Sequence, residues 1–128
     1  MNLLVDTHTL LWAIDSPEKL SKRGRDLLGD PRNRVSCSTV SLWEIAIKMS
    51  IGRLALEPDW RSVIESARMA LRARWLFLQP RHCHLVAELP WHHRDPFDRM
   101  LIAQAISERI TLLTRDSVFC RYRVDSLW

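Results

Sequence analysis

The chain alternates short apolar runs with longer stretches of helical periodicity. Leu3–Val5 is apolar and stops abruptly at Asp6, the pattern of a strand buried on both faces. Leu10, Leu11 and Ile14 then recur at helical spacing, which predicts a helix over 8–14. Ser16-Pro17-Glu18 starts a short turn or helix. Ser21 can cap a further helix through Leu28, stopped by Gly29 and Asp30-Pro31. A second strand is predicted at 34–38 and a helix at 41–50, with Leu42, Ile45, Ala46 and Met49 on one face and Gly52 beyond its end.

Asp59 is read as the cap of a longer helix running to about Arg72. Its apolar positions are Val63, Ile64, Ala67 and Leu71, and its outer face carries Arg61, Arg68 and Arg72, with Arg74 just beyond. A third strand is predicted at 75–78. Pro80 suits the first position of a helix reaching about Leu89, and Asp95-Pro96 opens another over 97–109. A fourth strand at 110–113, a short helix at 118–121 and a terminal edge strand at 124–128 complete the chain. Alternating strands and helices imply an α/β fold, a parallel sheet with helices on both faces. No repeat, low-complexity tract or linker divides the chain, so residues 1–128 are expected to form one domain.

In such a sheet, strand C-termini and helix N-termini share one edge, and ligands bind in the crevice there. Four acids fall at that edge. Asp6 ends the first strand, Glu44 and Asp98 lie early in helices, and Asp116 follows the fourth strand. Each has a plain structural alternative. Acids favour first helical turns, Ser41-Leu42-Trp43-Glu44 matches a capping box, Asp95 can cap with Asp98 as a dipole-favoured neighbour, and Asp116 can start a turn. Asp6 is harder to explain this way, because an acid directly after a buried strand is costly without a partner.

Four converging carboxylates repel one another. Mg²⁺ or Mn²⁺ would relieve that repulsion, make water more acidic and neutralise charge on a phosphodiester. Net charge adds to this picture. Lys and Arg outnumber Asp and Glu by 19 to 15, giving +4, so a basic rim around an acidic centre suits a polyanionic substrate. Thr7 and Thr114, beside two of the acids, can orient the carboxylates or simply satisfy backbone. Arg99 and Arg115 each adjoin an acid, Asp98 and Asp116, and can grip phosphate or stand as solvated charges.

These residues resemble the PIN-domain family, and within it the VapC-type toxins of bacterial toxin–antitoxin pairs. "LLVDTH" (3–8), "SLWEIAIK" (41–48), "HRDPFDRMLIAQA" (93–105) and "LLTRD" (112–116) carry the resemblance, in the family's order and across nearly the whole chain. The terminal "SLW" is also like this subgroup. The resemblance implies a PIN-like three-layer fold with about five parallel strands. It also implies Mg²⁺- or Mn²⁺-dependent RNA cleavage, homodimerisation and inhibition by a cognate antitoxin. The third acid is assigned to Asp98, with Asp95 as the helix cap, on the motif.

Other readings are weaker. Cys37, Cys83 and Cys120 form no CxxC pair, so a disulfide framework is not expected and a reducing cytoplasm fits. His82, Cys83, His84, His92 and His93 lack the tight ligand pairs of a zinc site. His92 or His93 can touch RNA or be ordinary loop residues. Trp12 and Trp43 read as core or dimer residues. No secretory leader is recognised and no apolar run approaches the ~18 residues of a membrane span. A phosphatase of doubly wound fold would open with Asp-x-Asp, whereas Asp6-Thr7-His8 follows the first strand here. A receiver domain needs a late lysine, and the lysines are Lys19, Lys22 and Lys48. The remaining alternatives are a PIN-fold RNA-processing nuclease outside any toxin pair and a non-catalytic binding module.

Overall fold

A computed structural model describes residues 1–128. Five strands form one parallel sheet: β1 (Asn2–Val5), β2 (Arg34–Ser38), β3 (Arg74–Leu76), β4 (Thr111–Leu113) and β5 (Ser126–Leu127), in the spatial order β3-β2-β1-β4-β5. Six α-helices connect them: α1 (Thr7–Asp15), α2 (Lys22–Gly29), α3 (Thr39–Ser50), α4 (Trp60–Ala70), α5 (Pro80–Glu88) and α6 (Pro96–Glu108). Short 3-10 turns occupy Pro17–Lys19 and Ser117–Arg121. No helix is long and apolar enough to cross a membrane.

β1 is the pivot of the sheet. It pairs with β2 on one side (Val5 opposite Cys37) and with β4 on the other (Val5 opposite Leu113). Side chains alternate across a strand, and the core divides accordingly. Leu4 and Leu112 pack with Leu101, Ile102 and Phe119 on one face. Val5, Val35, Cys37 and Leu113 pack with Leu10, Ile45 and Ile64 on the other. Both faces are thus covered, which is why the strands read as unbroken apolar runs. The chain leaves β1 toward β2 and later returns to β4 on the opposite side. The crevice opened by that reversal lies at the carboxyl ends of β1 and β4.

Several boundaries differ from the sequence expectation. α3 begins at Thr39, because the Ser38 hydroxyl accepts the Val40 amide at 3.0 Å and caps it. Asp59 stands before α4, but its side chain makes no capping bond. α4 ends at Ala70, and Arg72 adopts the left-handed region at φ 53° on the way to β3. β3 stops at Leu76, leaving Phe77 and Leu78 on the surface. The basic outer face of α4 is thinner than expected: Arg68 turns back to pair with Glu65 and to donate to the Ala73 carbonyl.

Candidate active site

Asp6 links the sheet to its first helix. Its amide donates to the Leu113 carbonyl at 3.3 Å, continuing the β1–β4 pairing by one residue. Its carboxylate then caps α1, with Oδ1 accepting the Thr9 amide at 2.7 Å. Oδ2 accepts the Thr114 hydroxyl at 2.6 Å, and Thr114 Oγ1 accepts the Asp116 amide at 3.1 Å. Thr114 therefore ties the end of β1 to the turn after β4. Asp116 caps the following 3-10 turn through Oδ1, which accepts the Val118 amide at 2.9 Å. Asp6 and Asp116 line an open depression of about 420 Å³ with Arg115, Ser117, His8 and Trp12. The capping explanation for Asp6 and Asp116 is thus satisfied by one oxygen each, and neither cap neutralises the charge.

Glu44 is held differently. Since Ser38 caps α3, Ser41 lies inside the first turn and Glu44 in the second, so the capping-box reading fails. Glu44 is 3% exposed, a burial that a carboxylate tolerates only with partners. Thr7 donates to Oε1 at 2.7 Å and shares its hydroxyl with Ser41 Oγ at 3.0 Å. Lys48, one helical turn on, pairs with Oε2.

Asp98 completes the set. Asp95 caps α6 by accepting the Phe97 and Asp98 amides at 2.9 and 3.0 Å, which leaves the Asp98 carboxyl free in the first turn. Burial, followed by the charges of Asp95, Glu44, Asp116 and Asp6, pushes its pKa up to about 7. The four acids, from four separate elements, therefore share one electrostatic neighbourhood. His93 Nε2 approaches Asp98 Oδ2 at 3.4 Å, and burial holds the pKa of this histidine below its usual value.

No three carboxylate, imidazole or thiol groups stand close enough to close on one cation in the structure as it stands. The chemistry of the donors nevertheless fits a hard divalent ion: all four are carboxylates, and their mutual repulsion is compensated by one ammonium, Lys48 on Glu44. Mg²⁺ characteristically uses one or two carboxylates and fills its remaining positions with water and phosphate.

Arg99 is a correction. Placed beside Asp98 in sequence, it is 3% exposed and turned away from solvent. Nη1 donates to the Pro90 carbonyl at 2.7 Å and to Tyr122 Oη at 3.2 Å, while Nη2 donates to the Val86 and Leu89 carbonyls. Trp91 stacks over its guanidinium at 3.8 Å. Arg99 clamps the α5–α6 connection, with four of its five N–H groups engaged there rather than turned to a phosphate. Arg115, by contrast, is exposed on the depression beside Asp6 and Asp116.

His82, away from this edge, has another occupation. His82 Nδ1 accepts the Gln79 amide at 3.0 Å, so its Nε2–H donates to Glu108 at 2.8 Å. Trp43, read as a core or dimer residue, is 57% exposed and packs edge-on against Phe97. Trp12 is half-buried between His8 and Trp128. Sequence reasoning missed Lys48 and Tyr122. Lys48 was within reach, since Glu and Lys four apart on a helix are a recognised pair.

A reversal point at β1, flanked by acids on the carboxyl edge, defines a doubly wound α/β protein with an acidic edge site. The chain belongs to the PIN domain family, whose model matches residues 3–125. A comparison with curated proteins finds no match. Among solved structures, the chain is similar to one from VapBC2 of Rickettsia felis, solved bound to a promoter DNA fragment, with TM-score 0.77, 17% identity and coverage of 99% of this chain and 98% of that one. It is similar to VapBC-1 of nontypeable Haemophilus influenzae at TM-score 0.64 and 16% identity, covering 99% and 97%. It is also similar to VapBC-5 of Mycobacterium tuberculosis, a member of the VapBC family of toxin–antitoxin systems, at TM-score 0.59 and 18% identity, covering 94% and 89%. At these identities the likeness is one of fold.

Proposed function

We propose that the chain is a metal-dependent endoribonuclease, the toxin of a type II toxin–antitoxin pair, with residues 1–128 acting as one domain. The observation that carries this reading is the placement of Asp6, Glu44, Asp98 and Asp116 at the carboxyl edge of a PIN-family fold, with Asp6 and Asp116 on one open depression. A site whose four carboxylates are offset by a single ammonium is suited to a cation. Mg²⁺ or Mn²⁺, held by these four acids, would supply the acidified water and the charge neutralisation that phosphodiester hydrolysis requires.

The chain's own residues set up that chemistry. Thr114 and Thr7 hold the carboxylates of Asp6 and Glu44 by donating hydroxyl hydrogens, so those acids meet a cation already oriented. Lys48 pairs with the buried Glu44 carboxylate. Arg115, exposed on the depression, binds a backbone phosphate next to the acids.

The structural neighbours come from VapBC and FitAB assemblies, one of them named a toxin–antitoxin system, which supports an antitoxin partner for this chain; a homodimer belongs to the same proposal. An apolar groove of about 670 Å³ on α3, α4 and β3 offers surface for a protein partner, with Trp43 and Phe77 57% and 60% exposed on it. The site and the absence of a spanning helix fit work in the cytoplasm on RNA.

The test is cleavage of total RNA by the purified chain with Mg²⁺ or Mn²⁺, beside EDTA and Asp6→Asn controls. Discrete fragments that vanish in both controls, with 5′-phosphate and 3′-hydroxyl ends, are expected. Cyclic phosphate ends would contradict attack by water. An antitoxin reading frame beside the gene separates a toxin from an RNA-processing nuclease of the same fold.

A further inference from the structure

His93 lies in the loop before α6, and its ring bridges Asp98 to Tyr122, a group that the cleavage reading leaves unused. Its Nδ1 is 2.6 Å from Tyr122 Oη, and its Nε2 is 3.4 Å from Asp98 Oδ2. Counting hydrogens settles which ring nitrogen carries one. Tyr122 Oη accepts from Arg99 Nη1 at 3.2 Å and from the His93 backbone amide at 3.3 Å. A phenol has one hydrogen to give. With both acceptor positions filled by obligate donors, that hydrogen goes to His93 Nδ1, the shortest contact the oxygen makes. Nδ1 is therefore an acceptor, and the ring hydrogen sits on Nε2, facing Asp98.

We propose that His93 is a positioning residue for Asp98: Arg99 and Tyr122 fix its Nε2–H tautomer and aim that hydrogen at Asp98 Oδ2. The inference rests on reading Asp98 as a cation ligand. Arg99 is immobilised by three main-chain carbonyls. Tyr122 is 5% exposed, with the His92 and His93 rings packed edge-on to its ring. The chain of bonds thus starts from a rigid anchor and ends on the carboxylate. With Oδ2 engaged by a neutral donor, Oδ1 is left free for a cation, the usual work of a group hydrogen-bonded behind a metal ligand. Arg99 then acts on the site through Tyr122 and His93 rather than through substrate.

The anchor and its effect can be read separately. In ¹⁵N NMR of the metal-free chain, the His93 ring should show a protonated Nε2 and an unprotonated Nδ1. Tyr122→Phe keeps the packing and should convert that single tautomer to a mixture. A proton on Nδ1 in the parent chain would overturn the proposal. Mn²⁺ titration without RNA then reads the effect. His93→Ala should weaken Mn²⁺ about tenfold or more, and His93→Gln, which keeps a donor toward Asp98, should recover part of the loss. His84→Ala, an exposed histidine elsewhere, should change nothing, and unfolding curves identify any variant that has lost its fold. If His93→Ala and Tyr122→Phe both bind Mn²⁺ as the parent chain does, the positioning role is wrong while the acidic site stands. If the parent chain and Asp6→Asn alike fail to bind Mn²⁺, the site reading fails and takes this proposal with it.

Discussion

The acidic edge has two halves that hold their carboxylates by different means. On the β1–β4 side, Asp6 and Asp116 are fixed by main-chain amides and a hydroxyl: Thr9 and Thr114 for Asp6, Val118 for Asp116. These donors are neutral and belong to the frame of the sheet. On the α3–α6 side, Glu44 and Asp98 are met by ionisable side chains, Lys48 and His93. The first half is set once the strands pair. The second depends on ionisable side chains, and it is there that a pKa rises to about 7. Under the proposed function, the contrast implies that the first half would present its carboxylates in place, while the second would adjust to a cation.

The largest break in that comparison is Asp6→Asn. The amide keeps the size of the side chain but removes the charge that the frame is built to present. RNA cleavage in single-turnover kinetics should fall about a thousandfold, which is ~4 kcal/mol of transition-state stabilisation. A loss under about tenfold would mean that Asp6 is only the cap of α1. Thr114→Val is next. It deletes the donor to Asp6 and the acceptor of the Asp116 amide together, and Mn²⁺ affinity should fall about ten- to a hundredfold. Thr7→Val should cost less, because Lys48 still holds Glu44.

Charge should also make the α3–α6 half sensitive to pH. The Asp98 carboxyl, pushed up to about 7 from the ordinary carboxylate range, faces Asp95, Glu44, Asp116 and Asp6, with His93 alongside. Its folded pKa is raised, so between about pH 4 and 7 the metal-free native state keeps a proton that the unfolded chain has lost. That contribution favours folding at low pH and fades as pH rises to 7. Mn²⁺ competes with the same proton, so its affinity should climb by up to about tenfold per pH unit below 7 and level off above. Asp98→Asn should flatten both trends. Unfolding curves and Mn²⁺ titrations from pH 5 to 8 measure them; unchanged slopes in Asp98→Asn would assign the titration to another group.

How much of this was legible follows the same division. Leu3–Val5 ending in Asp6 and Leu112-Leu113 followed by Thr114 were readable, because strands buried on both faces leave an unbroken apolar run and the acid marks its end. Asp95-Pro96 announced α6 because capping is local. The start of α3 was misread by two residues: Ser38 and Ser41 are both good caps, and Thr39-Val40 extends the β-branched look of β2. Phe77 and Leu78 looked like strand because they are apolar, yet they are 60% and 43% exposed. The role of Arg99 was out of reach, since its partner Tyr122 lies 23 residues away and its carbonyls belong to another helix end. Local rules fix elements and their termini; contacts among three loops do not show in any window.

The smallest effect tests the balance directly. Lys48 is 36% exposed at the side chain and Glu44 4%, so the pair is half in solvent and its worth is reduced by screening. Lys48→Met keeps the aliphatic stem and removes the ammonium, leaving Glu44 buried with Thr7 as its remaining donor. The metal-free chain should lose about 1–2 kcal/mol of stability in urea. If Lys48 stands in for a cation on Glu44, Mn²⁺ should recover that loss, and its affinity should rise about fivefold over the parent chain, the equivalent of ~1 kcal/mol. A purely structural lysine would give the destabilisation without the gain. Opposite signs for metal-free stability and Mn²⁺ affinity would then mark Glu44 as a ligand held in reserve by a neighbouring charge, while no change in the Asp6 variant's response to Lys48→Met would keep the two halves independent.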